Sequence, residues 1–380
     1  MAFDSNDEFD QHLCRLRSDI NDLRLLRPPT QHTSVKMEAV SDDSKSGFNT
    51  VPTVQKAFKA LSDMLVNAWS CDNRQHQEHS LCLDLGVDIL TWEHVRSNLA
   101  LTYQESSLSG HNAVDDSTIR HLLLETKSTK MSQRNSLLTS KKGNATMCEY
   151  LAECTCAASL LRGRLSTIPN DYQTNLYHND GRCTSSRIQA LAPKDIRLHE
   201  VLDWFQDPID KYELAHQLAT AILHLHATPW IPSTWRLSSV TALRCDEPFE
   251  VIQTLSIAMP LSVDMDHTRA ATARDMETYY SAGVQNATLF NLGLALLEIE
   301  HEISLEAFKS GKKLESKSDF DVARRMAMEP DTLAGRRYRL LARKCLNCTF
   351  HCEEFDLARE DLQHAVYGDV VYKLKELAEN

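Results

Sequence analysis

Residues 345–352 read Cys-Leu-Asn-Cys-Thr-Phe-His-Cys, so Cys345, Cys348, His351 and Cys352 put four soft donors within eight residues. Donors of that kind suit zinc. Structural zinc sites, however, draw their ligand pairs from two separated segments. Cys345 and Cys348 also fit the apolar face of a helix as small hydrophobes, which is the plainer reading. Three histidines, His216, His224 and His226, fall on one helical stretch. Spacings of two and eight do not bring all three to one face, and no glutamate stands between them as the base of an HExxH zinc enzyme. Capping or surface roles are expected for them. Cys154 and Cys156 are separated by one residue and point to different faces, so they do not form a redox pair. Lys141-Lys142-Gly143 and Gly311-Lys312-Lys313 lack the paired glycines of a phosphate-binding P-loop, and no Gly-x-Ser-x-Gly elbow occurs. The expectation is therefore no catalytic, no cofactor-binding and no metal-ligating residue.

The elements that would position such groups come from periodicity. Asn286–Ile303 leaves almost no polar face and reads as a helix buried on all sides. With Asn291 and Glu298 inside, it is too short and too polar for a bilayer span of roughly 20 apolar residues. Gly293 at its middle costs about 1 kcal/mol relative to Ala and points to close approach of another backbone. Leu214, Leu218, Ala221, Ile222 and Leu225 form the stripe of a helix that Pro229 ends, and Trp204, Trp230 and Trp235 bracket the loop after it. Those rings would either seal a junction, the favoured reading, or floor a groove for a partner. Further helices are expected over Phe9–Leu26, which either docks on the body or joins a partner, and over Val54–Trp69, Cys148–Leu161, Tyr338–Asn347 and Asp361–Leu377. Ser80–Leu85, Asn98–Tyr103 and Ile119–Glu125 alternate like strands, and Val251–Val263 holds a possible short strand pair. Gln31–Thr53 reads as a linker, Thr126–Lys142 as a basic loop, Thr167–Ser186 as irregular, and Lys309–Ser318 as a charged linker. The charge run Glu300–Lys317 is expected to be solvated.

With 380 residues and 42% hydrophobic content, the chain can build a sizeable core, and a net charge of −12 disfavours nucleic-acid binding through a broad basic face. The acidic N-terminus has no secretory leader, so the eleven cysteines are expected as reduced thiols in the cytoplasm.

The stretches LATAILHLHATPWI (218–231) and LFNLGLALLEIE (289–300) resemble, in order and character, the long helix before the catalytic loop and the central buried helix of protein kinases. Together with RKCLNCTF (343–350) and DLAREDLQHAVYGDVV (356–371), they are most similar to a fungal family of uncharacterised kinase-like domains. Some of its members sit beside modules of the heterokaryon-incompatibility and prion-inhibition type. The resemblance covers the last 190 or so residues well and is loose over 54–187. It implies a two-lobed fold and does not imply phosphoryl transfer, because the parts for that chemistry are missing. The glycines before residue 200, at 47, 86, 110, 143, 163 and 181, are never within three positions of one another, so they make no phosphate cradle. No lysine sits in an apolar strand as a kinase's Val-Ala-Ile-Lys lysine does, and Lys194, which follows a proline, is a poor substitute. Placing a catalytic loop on Pro232–Ser239 puts Thr234 at the base position and Ser239 at the magnesium position. Neither supplies the carboxylate or amide that a hard cation needs.

The sequence is thus read as α+β, a protein-kinase-like two-lobed architecture with a reduced N-terminal lobe and a mainly helical C-terminal lobe. Residues 1–27 are an amphipathic helix, 28–53 a flexible linker, 54–187 the reduced N-lobe-like region and 188–380 the C-lobe. The expected role is a catalytically inactive, cytoplasmic interaction or scaffold domain with a protein partner and no cofactor, nucleic acid or membrane. The family company suggests fungal self/non-self or stress signalling. The alternative is a switch that binds a nucleotide or small ligand between the lobes, and an enzyme of unrelated chemistry in the cleft is a further rival.

Overall fold

The computed structural model describes residues 48–68, 76–91, 94–105, 117–128, 161–166, 172–178, 195–226, 228–232, 234–243, 248–260, 276–330 and 332–379. The chain divides into a unit of Met1–Ser41 and a unit of Asp42–Asn380, and all described residues belong to the second. The helix expected at Phe9–Leu26, the one expected at Cys148–Leu161 apart from its last residue, most of the Gln31–Thr53 linker and the basic loop beyond Ser128 lie outside the described residues.

Helix α1 (Val51–Ala68) opens three residues earlier than its apolar stripe suggests. Pro52 sits in its first turn, where its missing N–H costs no hydrogen bond. Val51, Val54, Phe58, Leu61 and Leu65 form its buried face. Strands β1 (His76–Thr91), β2 (His94–Glu105) and β3 (Ser117–Ser128) pair antiparallel, with Leu83 opposite Leu99 and Leu99 opposite Leu122. These are the three strands that the alternation of apolar residues marks. Two more, β4 (Leu161–Ser166) and β5 (Tyr172–His178), extend the sheet, and β5 replaces part of the stretch expected to be irregular. Thr174 and Leu176 are its buried positions, opposite Thr126 and Leu124, and the two threonine hydroxyls bond at 2.8 Å.

The segment 195–204 is strand β6 (Asp195–Arg197) followed by two short 3₁₀ turns, and β7 is Val240–Leu243. The expected strand pair within 251–263 does not form among the described residues. Pro248–Gln253 is a short helix, α3, and only Ser256–Pro260 (β8) is extended. Ile257 and Met259 face inward, and β8 pairs with both β1 and β7. The result is one mixed α/β unit around an eight-stranded antiparallel sheet of order β4-β5-β3-β2-β1-β8-β7-β6.

Helix α2 (Pro208–Leu225) starts on Asp207, whose carboxylate accepts from the Ile209 N–H at 2.8 Å. Helix α4 (Ala287–His301) is buried along nearly its whole length. Asn286 caps it, with Oδ1 accepting from the Leu289 N–H at 2.9 Å and Nδ2 donating to the Phe355 carbonyl at 2.8 Å. Gly293 meets the backbone expected of it. A Cβ there would lie 2.6 Å from the Leu346 nitrogen and 2.7 Å from the Ala342 oxygen, both on helix α7 (Gly335–Leu346).

The expected charged linker Lys309–Ser318 is partly helical, because α5 spans Leu305–Gly311. Ser304 caps it, and Leu305 and Phe308, three apart, are buried. Helix α6 (Asp319–Met326) follows. The last helix is broken in the middle: α8 (Glu360–Val366) and α9 (Tyr372–Glu379) are joined by a π-helical turn over Tyr367–Val371. No helix among the described residues is long and apolar enough to cross a membrane.

Candidate functional site

The loop that follows α2 is where a catalytic loop was sought, and its side chains are committed to structure. Trp230 and Trp235 are fully buried, and the Trp235 indole N–H donates to the Thr288 carbonyl at 3.3 Å. They seal the interior and floor no groove; Trp204 is half-buried against the core. The Ser239 hydroxyl donates to the Arg236 carbonyl at 2.6 Å, closing a 3₁₀ turn. Arg236 pairs with Asp319 at 3.2 Å, a carboxylate that also holds the Lys309 ammonium. His226, expected at the surface, is buried against Gln363 at 3.0 Å, and burial pushes its pKa down to about 4. Side chains held this way fix a turn.

Polar groups converge elsewhere, where the middle of β1 passes α2 and the end of α9. An open cleft of about 470 Å³ is lined by Leu85, Val87, Ile252 and Ala378 on its apolar side, and by Glu213, His216, His224, Lys375 and Glu379 among its polar groups. A neighbouring hollow of about 300 Å³ shares Gly86, Gln217 and Gln253 with it and adds Asp84, Asp88 and Arg96. The register of β1 against β2 shifts between Leu83 and Val87, which re-aims these residues at the cleft.

On α2, residues 213, 216, 217, 220 and 224 lie on one helical face, as spacings of three and four require. Sequence reasoning correctly kept the three histidines from sharing one face, but it missed that two of them do. It also expected surface roles, whereas His224 is only 6% exposed. Burial drives the His224 pKa down to about 4, with His216 adding to the effect, and burial and Lys375 lower that of His216 against the pull of Glu379. Both rings are therefore neutral at pH 7. The buried Nδ1 of His224 has no hydrogen-bond partner. Lys375 and Glu379 pair at 3.6 Å one helical turn apart. The polar stripe on α2 was the readable signal for this site; nothing local in sequence tied α9 or Gln253 to it.

The cysteine cluster is core. Cys345 and Cys348 are buried free thiols, and burial pushes Cys345 far above its ordinary value and Cys348 up to about 12. Cys348 also occupies the left-handed region, with φ 47°, just past α7. Among the described residues no group of three or more His, Cys, Asp or Glu side chains is placed to hold a metal ion.

Two carboxylates of the run expected to be solvated are held in ion pairs, Glu300 in a buried one and Glu302 in a part-buried one. Glu300 accepts from Arg339 at 2.9 and 2.6 Å and from the Thr332 hydroxyl at 3.0 Å. Lys211, 1% exposed, donates to Glu302.

Against known proteins, a family model described as a domain of unknown function, DUF7580, matches residues 52–380. No curated protein matches the chain. A solved structure titled as an apo pseudokinase is similar at 12% identity, covering 74% of this chain and 86% of its own, with a TM-score of 0.28.

Proposed function

Since this chain belongs to the DUF7580 family, whose function is unknown, we propose its role from its own geometry: a catalytically inactive, kinase-like domain that works by binding a protein partner. The observation that carries this reading is the state of the loop after α2. By the resemblance to a kinase catalytic loop, Thr234 and Ser239 fall at the base and magnesium-ligand positions. Ser239 is spent on its own turn, and the neighbouring Arg236 on Asp319. Positioned carboxylates and a metal do nearly all the work of phosphoryl transfer, so a loop of this composition has no means to perform it. On this reading, residues 54–187 form a reduced N-lobe-like region and 188–380 a helical C-lobe, in a cytoplasmic scaffold. The free thiols Cys345, Cys348 and Cys352 suit that reducing compartment. A place in fungal self/non-self or stress signalling rests on the resemblance alone.

The test is transfer of labelled γ-phosphate from ATP, with magnesium or manganese, to the protein itself and to a generic acceptor protein. The expected result is no label above the heat-denatured control. Time-dependent transfer by the native protein would overturn the inactive reading.

A second reading, a switch that binds a small ligand, is favoured by the cleft beside α2. Its nucleotide form is disfavoured by charge: across the two hollows the lining carries Asp84, Asp88, Glu213 and Glu379 against Arg96 and Lys375. A polyphosphate would enter an environment with excess charge of its own sign.

A further inference from the structure

The small-ligand reading can be taken a step further, from the presence of a cleft to the class of molecule it accepts. We propose that the cleft between β1, α2 and α9 binds an organic cation with an apolar body, an alkyl amine or diamine.

Three features of the lining point that way. The first is charge. Lys375, the lysine of the cleft, is bound to Glu379 at 3.6 Å, and Glu213 adds negative charge to the rim; in the adjoining hollow Arg96 is bound to Glu125 at 2.7 Å beside Asp84 and Asp88. The second is the apolar wall of Leu85, Val87, Ile252 and Ala378, which a fully hydrated inorganic ion would leave unused. The third is His224, a lining residue only 6% exposed, whose Nδ1 is sealed from solvent and has no hydrogen-bond partner in the protein. An unpaired buried polar atom is costly, so a small turn of this neutral ring toward a ligand ammonium, whose N–H it can accept, would satisfy it. The neutrality of both rings matters here, since an imidazolium would repel the ligand. A nucleotide offers the wrong charge, and a neutral alcohol offers a weaker donor and no attraction to Glu213.

The proposal rests on the small-ligand reading of this cleft, and the test separates the two. Thermal unfolding of the full chain is followed with 1,6-diaminohexane, with its uncharged counterpart 1,6-hexanediol, and with ATP and magnesium, each up to about 10 mM. The expected result is a rise in Tm of about 2 °C or more with the diamine alone. Glu213→Gln and Glu379→Gln, both isosteric and on partly exposed helix faces, should each weaken the diamine response at least tenfold in concentration while leaving the ligand-free Tm nearly unchanged. Equal shifts with diol and diamine would overturn the cation class and leave a small-ligand site. A shift with ATP alone would do the same in favour of the nucleotide. A diamine shift that both variants retain would mean binding outside the cleft and would overturn the proposal. No shift with any probe would overturn both the proposal and the small-ligand reading.

Discussion

At the scale of single residues, Glu300 and Arg339 are the pair on which the helical part most depends. Glu300 is 1% and Arg339 6% exposed. One carboxylate oxygen takes both guanidinium bonds, Arg339 also reaches the Glu329 and Pro330 carbonyls, and the second oxygen, Oε2, is buried without a partner. Each charge is tolerable only because the other is present. Arg339→Met should therefore cost about 3–5 kcal/mol by stranding Glu300, whereas the double change Arg339→Met with Glu300→Leu should recover most of the loss. Urea denaturation of the three proteins gives the coupling directly; single and double variants equal in stability would show that the pair is not holding the fold. Nothing in the sequence revealed this pair. Glu300 begins a run of charged residues that reads as a solvated connector, and its partner stands 39 positions later, beyond any local spacing rule. Histidine burial was hidden for the same reason. The stripe that places His216 and His224 on one face is legible on α2, but the strand and helices that close over it are not.

At the scale of elements, Gly293 is where sequence and structure agree most closely. A glycine in the middle of a buried helix is a loss of about 1 kcal/mol unless something approaches closely, and α7 does so with its backbone. Gly293→Ala gains helix propensity and forces a Cβ to within 2.6 Å of the Leu346 nitrogen. Main chain cannot swing away as a side-chain tip can, so the overlap outweighs the gain, and a net destabilisation of about 3 kcal/mol or more is expected. A chemical denaturation midpoint that stays the same or rises would show that α7 shifts freely. The helices with strong stripes, α1, α2, α4 and α7, and the strands with clean alternation, β1 to β3, were all legible. The errors fall where local pattern is weak. In β5 the polar Thr174 shares the inward face with Leu176, so the apolar alternation is weak and the strand is fixed by pairing with β3. Helix α5 was concealed by lysines that outweighed a single buried pair three residues apart. Val251 and Ile252 are β-branched, which reads as strand, yet they are buried side by side, as neighbours on a helix can be and on an alternating strand are not, and α3 opens with Pro248 at its first position.

At the scale of the whole molecule, β8 joins β1 in the same sheet, so segments far apart in sequence unfold together and their buried titratable groups act on one equilibrium. His224 and His226 have pKa values near 4 in the folded protein against an ordinary 6.5, and burial lowers His216 and His301 as well. Between about pH 6.5 and 4 the unfolded chain binds protons that the folded chain refuses, so stability falls as pH falls through that window. Each fully buried ring contributes up to about 3 kcal/mol of this loss. Glu298 works in the opposite sense. Burial raises its carboxyl to about 7 from an ordinary 4.5, only partly offset by the Leu305 N–H it accepts at 2.7 Å. Its contribution is full below about pH 4.5 and is lost as pH rises to about 7, because the folded protein must then ionise a buried acid. Four histidines outweigh one glutamate, which places the stability maximum between about pH 6.5 and 7, with a steep acid side and a shallow alkaline one. Glu298→Gln keeps an acceptor for the Leu305 N–H and removes the ionisation. The variant should nearly match the native protein at pH 4.5 and exceed it by about 3 kcal/mol at pH 8. Urea midpoints measured across pH 4–9 decide the matter: a profile that peaks below pH 5, or an advantage of the variant that does not grow with pH, would mean that these groups titrate at their ordinary values in the folded protein.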